Sequence, residues 1–278
     1  MAMYLGSKKV AVTNTVEKQV PSMKAFFEAG GKCSRSQATS FEGCWQFGDT
    51  ANVTNMSEMF KDCYSVVSVP LFDTSKATNM FSMFENCYAL ETVPLFDTSS
   101  VEYMLLMFNA CSHLTTVPLF DTSNVTNMRY MFYNCARLTT VPLFNTTKVT
   151  NMSSMFNNCP KLTTVPLFDT SNVTDMSGML EACTSLSEVP QFDASNVTDM
   201  NNMFIQCTNL EKIHMININA SFEIYSSTKF TREALLEIIG NLKAQTSGTK
   251  TLNMGSTNLA KLTDEDKAIA TNKGWTLA

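Results

Sequence analysis

Cysteine falls at Cys63, Cys87, Cys111, Cys135, Cys159, Cys183 and Cys207, a constant spacing of 24 residues. Methionine keeps the same beat at Met56, Met80 and onward to Met200, and a second methionine series trails it by three residues, from Met59 to Met203. Leucine (Leu90 and onward to Leu210) and proline (Pro70 to Pro190) do likewise. One unit reads V-T-N-M-x-x-M-F-x-x-C-x-x-L-T-x-V-P-L-F-D-T-S-x, and seven copies run from residue 53 to about residue 220 without an insertion or deletion. A unit of 24 residues is too short to bury its own apolar face, so each coil must stack on its neighbours. The period therefore specifies a solenoid and excludes a globular core closed on itself.

Within a coil, residues 162–167 (L-T-T-V-P-L) fit a short solenoid strand, and residues 169–172 (D-T-S-N) are turn chemistry, because Asp and Asn side chains satisfy nearby backbone N–H groups. Residues 173–176 read as a second extended piece on the opposite wall, and residues 179–183 as a helical turn closing the coil. The fold class is thus an α+β solenoid, leucine-rich-repeat-like, with short parallel strands. Stacked strands sit ~4.8 Å apart, which makes the seven coils a rod on the order of 34 Å long. Strict alternation from Val165 puts Leu167 inside and Phe168 outside. Yet phenylalanine recurs at Phe72, Phe96, Phe120, Phe144, Phe168 and Phe192, while the leucine becomes Gln191 in the last of these units. A kink at the proline that buries the phenylalanine is the better fit.

An open solenoid exposes strand edges and needs caps. Residues 1–52 fit an N-terminal cap: residues 21–29 look helical, and residues 41–52 are a degenerate first coil. Residues 221–278 fit a C-terminal cap. Thr231 begins a helix from Arg232 to about Lys243, residues 251–254 form a strand, and Thr263 with Asp264, Glu265 and Asp266 starts a last helix ending near Gly274. Trp275 is expected to pack back on this cap.

The chemistry that the repeats suggest is weak. One cysteine per coil points its sulfurs in parallel, which cannot close a tetrahedral metal site and spaces neighbouring Cβ atoms beyond ordinary disulfide geometry. Buried free thiols are the expectation, with Cys33 and Cys44 outside the ladder and free to differ. The aspartates Asp49, Asp73, Asp97, Asp121, Asp169 and Asp193 have a calcium reading, but glycine is scarce and Asn145 interrupts them, so local turn-capping is preferred. His113 and His214 lie about four coils apart and share no site. No P-loop, nucleophile elbow or H-E-x-x-H is present, so no catalytic residue, cofactor or metal is assigned and a non-enzyme is expected. The N-x-[ST] sequons fall out of the turn sequence.

A net charge of −5 and the absence of a basic run argue against nucleic acid and anionic membranes as partners. No stretch approaches 18 uninterrupted apolar residues, so membrane insertion is not expected. The first 23 residues lack the apolar core of a secretory signal, so a place on a virion or outside the cell is expected to be reached by another route. Function is expected where the pattern breaks. Phe81, Leu105, Leu106, Tyr130 and Tyr133, with Tyr64 and Tyr88 nearby, stand where later coils carry Ser153, Ser154, Ser177, Asn201 and Asn202. Stacking gathers them into an apolar patch suited to a glycan, a protein partner or a second subunit.

The unit F-D-T-S-N-V-T-N-M-x-x-M-F-x-x-C-x-x-L-T-x-V resembles the BspA-like leucine-rich repeats of bacterial surface proteins over residues 49 to about 215. That resemblance implies a right-handed solenoid with a role in adhesion or recognition of a host or cell-surface protein or glycan. The flanks, residues 3–10 and 252–277, are similar to proteins encoded in prophages of gut bacteria near tail genes. This second resemblance implies a virion-associated tail protein; a bacterial cell-surface adhesin and a structural subunit are the alternatives.

Overall fold

The computed structural model describes residues 50–278 and, further upstream, the backbone of an antiparallel hairpin, β1 (Ala2–Leu5) and β2 (Lys8–Ala11). The expected helix at residues 21–29, most of the degenerate first coil, Asp49 and the two cysteines Cys33 and Cys44 lie outside the described residues.

The coils stack through two different walls. On the first, alternate amides reach into the next coil: Met56, Glu58, Phe60 and Asp62 each donate at 2.8 Å to the carbonyls of Asn79, Phe81, Met83 and Glu85. The intervening amides close tight turns within the coil, Met59 to Met56, Lys61 to Glu58 and Cys63 to Phe60. The third residue of two of these turns has positive φ, 57° at Glu58 and 62° at Asp62, as the type II turn requires. Both positions recur with positive φ in every coil, ending at Asn202 and Gln206. This ribbon of turns corrects the helical turn read from the sequence. A helix would use all its amides internally and leave the stack unpaired, whereas here every second amide crosses to the neighbour.

The predicted strand contracts as well. Among the described residues, β3 (Glu188–Val189) and β4 (Lys212–Ile213) alone pair as parallel strands on the second wall, since the earlier coils carry a proline that removes a donor, whereas His214 stands at that place in the last coil and donates to Val189 at 3.0 Å. The extended piece of the first wall survives as single parallel bridges running Asn55, Asn79, Tyr103, Asn127, Asn151, Asp175 and Asp199.

Between the walls lies one continuous core. Phe60, Phe84, Phe108, Phe132 and Phe156 stack face to face, with centroids 5.2, 5.5, 5.6 and 5.7 Å apart. The second-wall phenylalanines meet them across the core, as Phe84 meets Phe96 and Phe108 meets Phe120, both at 6.1 Å. Phenylalanine is thus the buried member of the pair. Its neighbour is not: Leu71, Leu95, Leu119, Leu143 and Leu167 are 57–67% exposed.

The left-handed slot at Asp62 is filled downstream by Asn86, Ala110, Asn134, Asn158, Ala182 and Gln206. Asparagine tolerates this conformation and alanine does not. It also bonds across coils, as when the Asn158 amide donates to Asn134 at 2.6 Å. Ala110→Asn, between Asn86 and Asn134, is therefore expected to stabilise the protein by ~0.5–1.5 kcal/mol. Thermal unfolding checks this, and a lowered midpoint would show that the slot is not strained.

The C-terminal cap continues the stack. Bridges from Asp193 to Ile216 and from Ile218 to Leu242 carry the coil into it. A three-stranded parallel sheet follows, in the order β5 (Phe222–Glu223), β6 (Lys250–Asn253), β7 (Trp275–Leu277). Around it lie α1 (Arg232–Gly240), the short α2 (Gly255–Leu259), and α3 (Asp264–Asn272). Thr231 caps α1 and Thr263 forms a capping box with Asp266, as their sequence contexts indicate. α1 ends at Gly240 rather than near Lys243 because the chain turns there to pair Lys243 with Ile218. Side chains of the cap replace the missing next coil: Glu223 accepts from the Asn202 amide and Ser226 from the Gln206 amide.

Candidate functional site

The recurring residues are taken up by the fold. In each D-T-S turn the aspartate accepts from the amide two residues on, as Asp73 does from Ser75 at 2.9 Å, and from that serine's hydroxyl at 2.7 Å. Asn145 does the same for Thr147. The buried threonine between them donates to the carbonyl of the next coil's aspartate, for example Thr74 to Asp97 at 2.8 Å. These contacts make the aspartates turn caps. The backbone and hydroxyl of the following serine hold the carboxyls of Asp73 and Asp121 below the usual range, and its hydroxyl and backbone do so for Asp97 and Asp169.

A depressed native pKa adds stability that is complete above the unfolded value of ~3.9 and is lost as pH falls through the native value. The urea midpoint should therefore hold from neutrality to about pH 5 and fall below about pH 4. Changing Asp73, Asp97, Asp121 and Asp169 to Asn should flatten that fall. An unchanged slope in the fourfold variant would assign the acid sensitivity elsewhere, for instance to Asp266 beside Arg232.

The thiols are equally committed. Cys87 donates to the Phe60 carbonyl at 3.0 Å, and the contact repeats up to Cys207 and Leu180. Burial pushes the thiols of Cys87, Cys111, Cys135, Cys159 and Cys183 far up, and that of Cys207 to about 12. Such groups are neither nucleophiles nor ligands at neutral pH. Among the described residues no cluster of three or more His, Cys, Asp or Glu could hold a metal ion. His113 contacts the Tyr88 carbonyl through Nδ1 at 2.7 Å. His214 lies between Glu237 of α1 (2.6 Å) and Glu188 of β3 (3.1 Å), tying the cap to the last coils.

What the fold does not use lies on its two outer faces. On the turn ribbon the structure brings Phe81, Leu105, Leu106, Tyr130 and Tyr133 onto successive coils, all half-buried. The Ser82 amide donates to the Leu105 carbonyl and the Leu106 amide to that of Arg129, which fixes their adjacency. Tyr130 packs edge-on against Tyr133 at 5.4 Å, and the Arg129 guanidinium lies 4.6 Å from the Tyr130 ring centroid. Tyr64 and Tyr88 form a separate stacked pair, 5.2 Å apart, at the corner after the cysteines. Leu106 and Tyr130 occupy the left-handed slot, with φ of 62° and 57°. Other coils place Glu58, Ser82, Ser154, Gly178 or Asn202 there. A side chain at positive φ costs roughly 1–2 kcal/mol, a cost that Glu58, Ser82 and Ser154 share at this slot; Leu106 and Tyr130 differ from them in being large and apolar.

Sequence reasoning missed two features. Tyr103, 54% exposed, replaces the turn-capping Asn or Asp of the bridge ladder beside this patch. Its break in the N-M step was the available signal. The second is the leucine stripe of the opposite wall, for which Gln191 at the equivalent position was the clue.

The geometry defines a leucine-rich-type repeat solenoid. The family described as "Mycoplasma protein of unknown function, DUF285" matches at residues 7–116, 54–162 and 139–233, and the chain belongs to it. Among solved structures, the crystal structure of the T. pallidum leucine-rich repeat protein (TpLRR) is similar at 16% identity, over 81% of this chain and 79% of that one, with a TM-score of 0.34. No curated protein matches the chain.

Proposed function

We propose that this chain is a non-enzymatic binding protein whose turn-ribbon wall recognises a host or cell-surface glycan or protein. On this reading seven right-handed coils form the rod and the two ends are caps. The finer part of the proposal is a place on a virion tail, supported by the resemblance of the flanks. One observation carries the binding role: Leu106 and Tyr130 hold large apolar side chains, half-buried, in a left-handed slot where other coils have small or polar residues. The slot has this conformation in the other coils too, so it is the large apolar side chains gathered on neighbouring coils that point to a binding surface.

The test separates binding from folding. Leu106→Asn with Tyr130→Asn copies the residue that Asn202 supplies at the same slot, so stability should change by less than about 1 kcal/mol as relief of strain offsets the lost ring contacts. Binding on a glycan array and to intact host cells should be lost. Unchanged binding would remove the patch from the proposal. Mass spectrometry of purified particles decides the virion part, and absence of the chain from them would overturn it.

A further inference from the structure

We propose that the corner of the third to fifth coils, just beyond each cysteine, binds a carboxylate-bearing polysaccharide lying along the stack. His113, Arg137 and Lys161 occupy the same corner position in three successive coils. Thr139 donates its amide and hydroxyl to the Thr115 carbonyl, and Thr163 donates both to the Thr139 carbonyl. These bonds hold the coils in register, so the three residues stand one above the other, ~4.8 Å apart at the backbone. The side chains of Arg137 and Lys161 are exposed and make no ion pair or hydrogen bond among the described residues. The fold does not need their charge, since Ser65, Ala89, Ser185 and Asn209 fill the same slot in other coils.

The surroundings favour an anion. Between residues 104 and 168 the cations Arg129, Arg137, Lys148 and Lys161 stand against a single acid, Asp121, although the chain as a whole carries −5. Residues 110–116, 134–140 and 158–164, which form the corner, contain no carboxylate. Carboxylates stand instead at its two ends and limit it to three coils. Glu85 and Glu91 belong to the coil before His113, and Glu85 is held by Lys61 at 2.9 Å. Glu181 and Glu188 belong to the coil after Lys161, where they engage Asn157 at 2.9 Å and His214 at 3.1 Å. Asp121 and Asp169 lie at the far end of the second wall, on the order of 20 Å away at ~3.3 Å per extended residue. That exceeds the ~8 Å screening length of physiological salt. Glu102 lies half a coil away, on the first wall.

Three features select a polysaccharide among anions. The cations follow the axis of the rod, one per coil, a spacing comparable to one sugar unit, which suits a linear polymer with single charges at regular intervals. His113 donates from Nδ1 to the Tyr88 carbonyl at 2.7 Å, which leaves Nε2 of the uncharged ring to accept from a hydroxyl. Beyond it, Tyr88 and Tyr64 present an exposed, stacked pair of rings on which the apolar face of a sugar packs. This inference deepens the binding role proposed above and rests on its glycan form. Tyr133 of the turn ribbon shares a coil with Arg137, so the two surfaces adjoin.

Calorimetric titration with polygalacturonate and with alginate, polymers with a carboxylate on every sugar, tests the site. The intact chain should bind them, should bind less tightly as salt rises, and should not bind methyl-esterified polygalacturonate. Arg137→Ser with Lys161→Ser should weaken binding at least ~10-fold with an unchanged thermal midpoint, because serine already stands in this slot at Ser65 and Ser185. Arg137→Lys with Lys161→Arg keeps both charges and should keep binding. Should the serine pair not fold, Arg137→Gln with Lys161→Gln reads the same loss. A chain that binds neither polymer, that binds the methyl ester equally, or that is indifferent to loss of both charges overturns the proposal. So does polyglutamate bound as tightly as the sugars, which would make the partner an acidic protein. The Leu106→Asn/Tyr130→Asn variant tells the two surfaces apart. If it alone abolishes polygalacturonate binding, the corner fails and the ribbon stands; if the serine pair alone does so, the ribbon fails and the corner stands.

Discussion

Replacing Phe132 by alanine should lower the stability of the protein by about 3–5 kcal/mol, the range for deleting a fully buried aromatic ring. Phe132 lies in the middle of the ring stack, 5.6 Å from Phe108 and 5.7 Å from Phe156, and meets Phe144 across the core at 6.3 Å. Its loss opens a cavity that rigid neighbours above and below cannot collapse into, because the ladder of amides holds the coils apart at a fixed pitch. Phe132→Leu should cost only roughly 1–1.5 kcal/mol, since Leu180 already occupies the same place in the sixth coil and is fully buried there. The comparison is made by urea unfolding followed through a tertiary probe. A loss below about 1 kcal/mol for the alanine variant would mean that the stack is not the source of cohesion between coils, and the amide ladder would take that role.

The reason the architecture was legible in the sequence, while its local conformation was not, lies in what a period encodes. A spacing of 24 residues states that equivalent positions sit above one another whatever the backbone does between them. Burial of Phe168 over Leu167 was legible from the glutamine at 191 for the same reason: only an exposed slot tolerates that exchange. The turn ribbon was hidden because its signature is positive φ, which is normally announced by glycine. Here it is carried by Asp62, Asn86, Asn134 and Asn158 at one slot and by unrelated residues at the other. The fold holds the second slot by its hydrogen bonds into the next coil, so residue type is free to vary there. That freedom also lets Leu106 and Tyr130 appear, and it makes the candidate site readable as a break in pattern without revealing the strain beneath it. Tyr103 was missed for a complementary reason: the sequence marks it only as a broken N-M step, and a break in a turn-capping slot does not by itself tell an exposed ring from a buried one.

Trp275→Ala should produce the other large effect, and of a different kind. Trp275 is 2% exposed, lies edge-on to Phe222 at 6.5 Å, and donates its indole N–H to the Lys243 carbonyl at 2.8 Å. Phe222 in turn meets Phe204 of the last coil at 6.2 Å. The indole therefore ends a chain of rings that ties the parallel sheet of the cap to the end of the solenoid. Removing it costs about 3–5 kcal/mol, while the Lys243 carbonyl keeps the Gln245 side-chain amide as a donor at 2.7 Å. In a quasi-one-dimensional fold this loss is felt by the nearest neighbours first. The cap should melt before the coils, giving two thermal transitions, and limited proteolysis should cut within residues 221–278 while the coils persist. With Glu223 and Ser226 released, the amides of Asn202 and Gln206 become an open edge, and the partly unfolded chain should aggregate through it. Trp275→Phe keeps a ring and loses only the N–H, so its cost should be near 1 kcal/mol with a single transition retained. If the alanine variant instead melts in one lowered transition, cap and coils form a single cooperative unit, and nearest-neighbour coupling does not describe this solenoid.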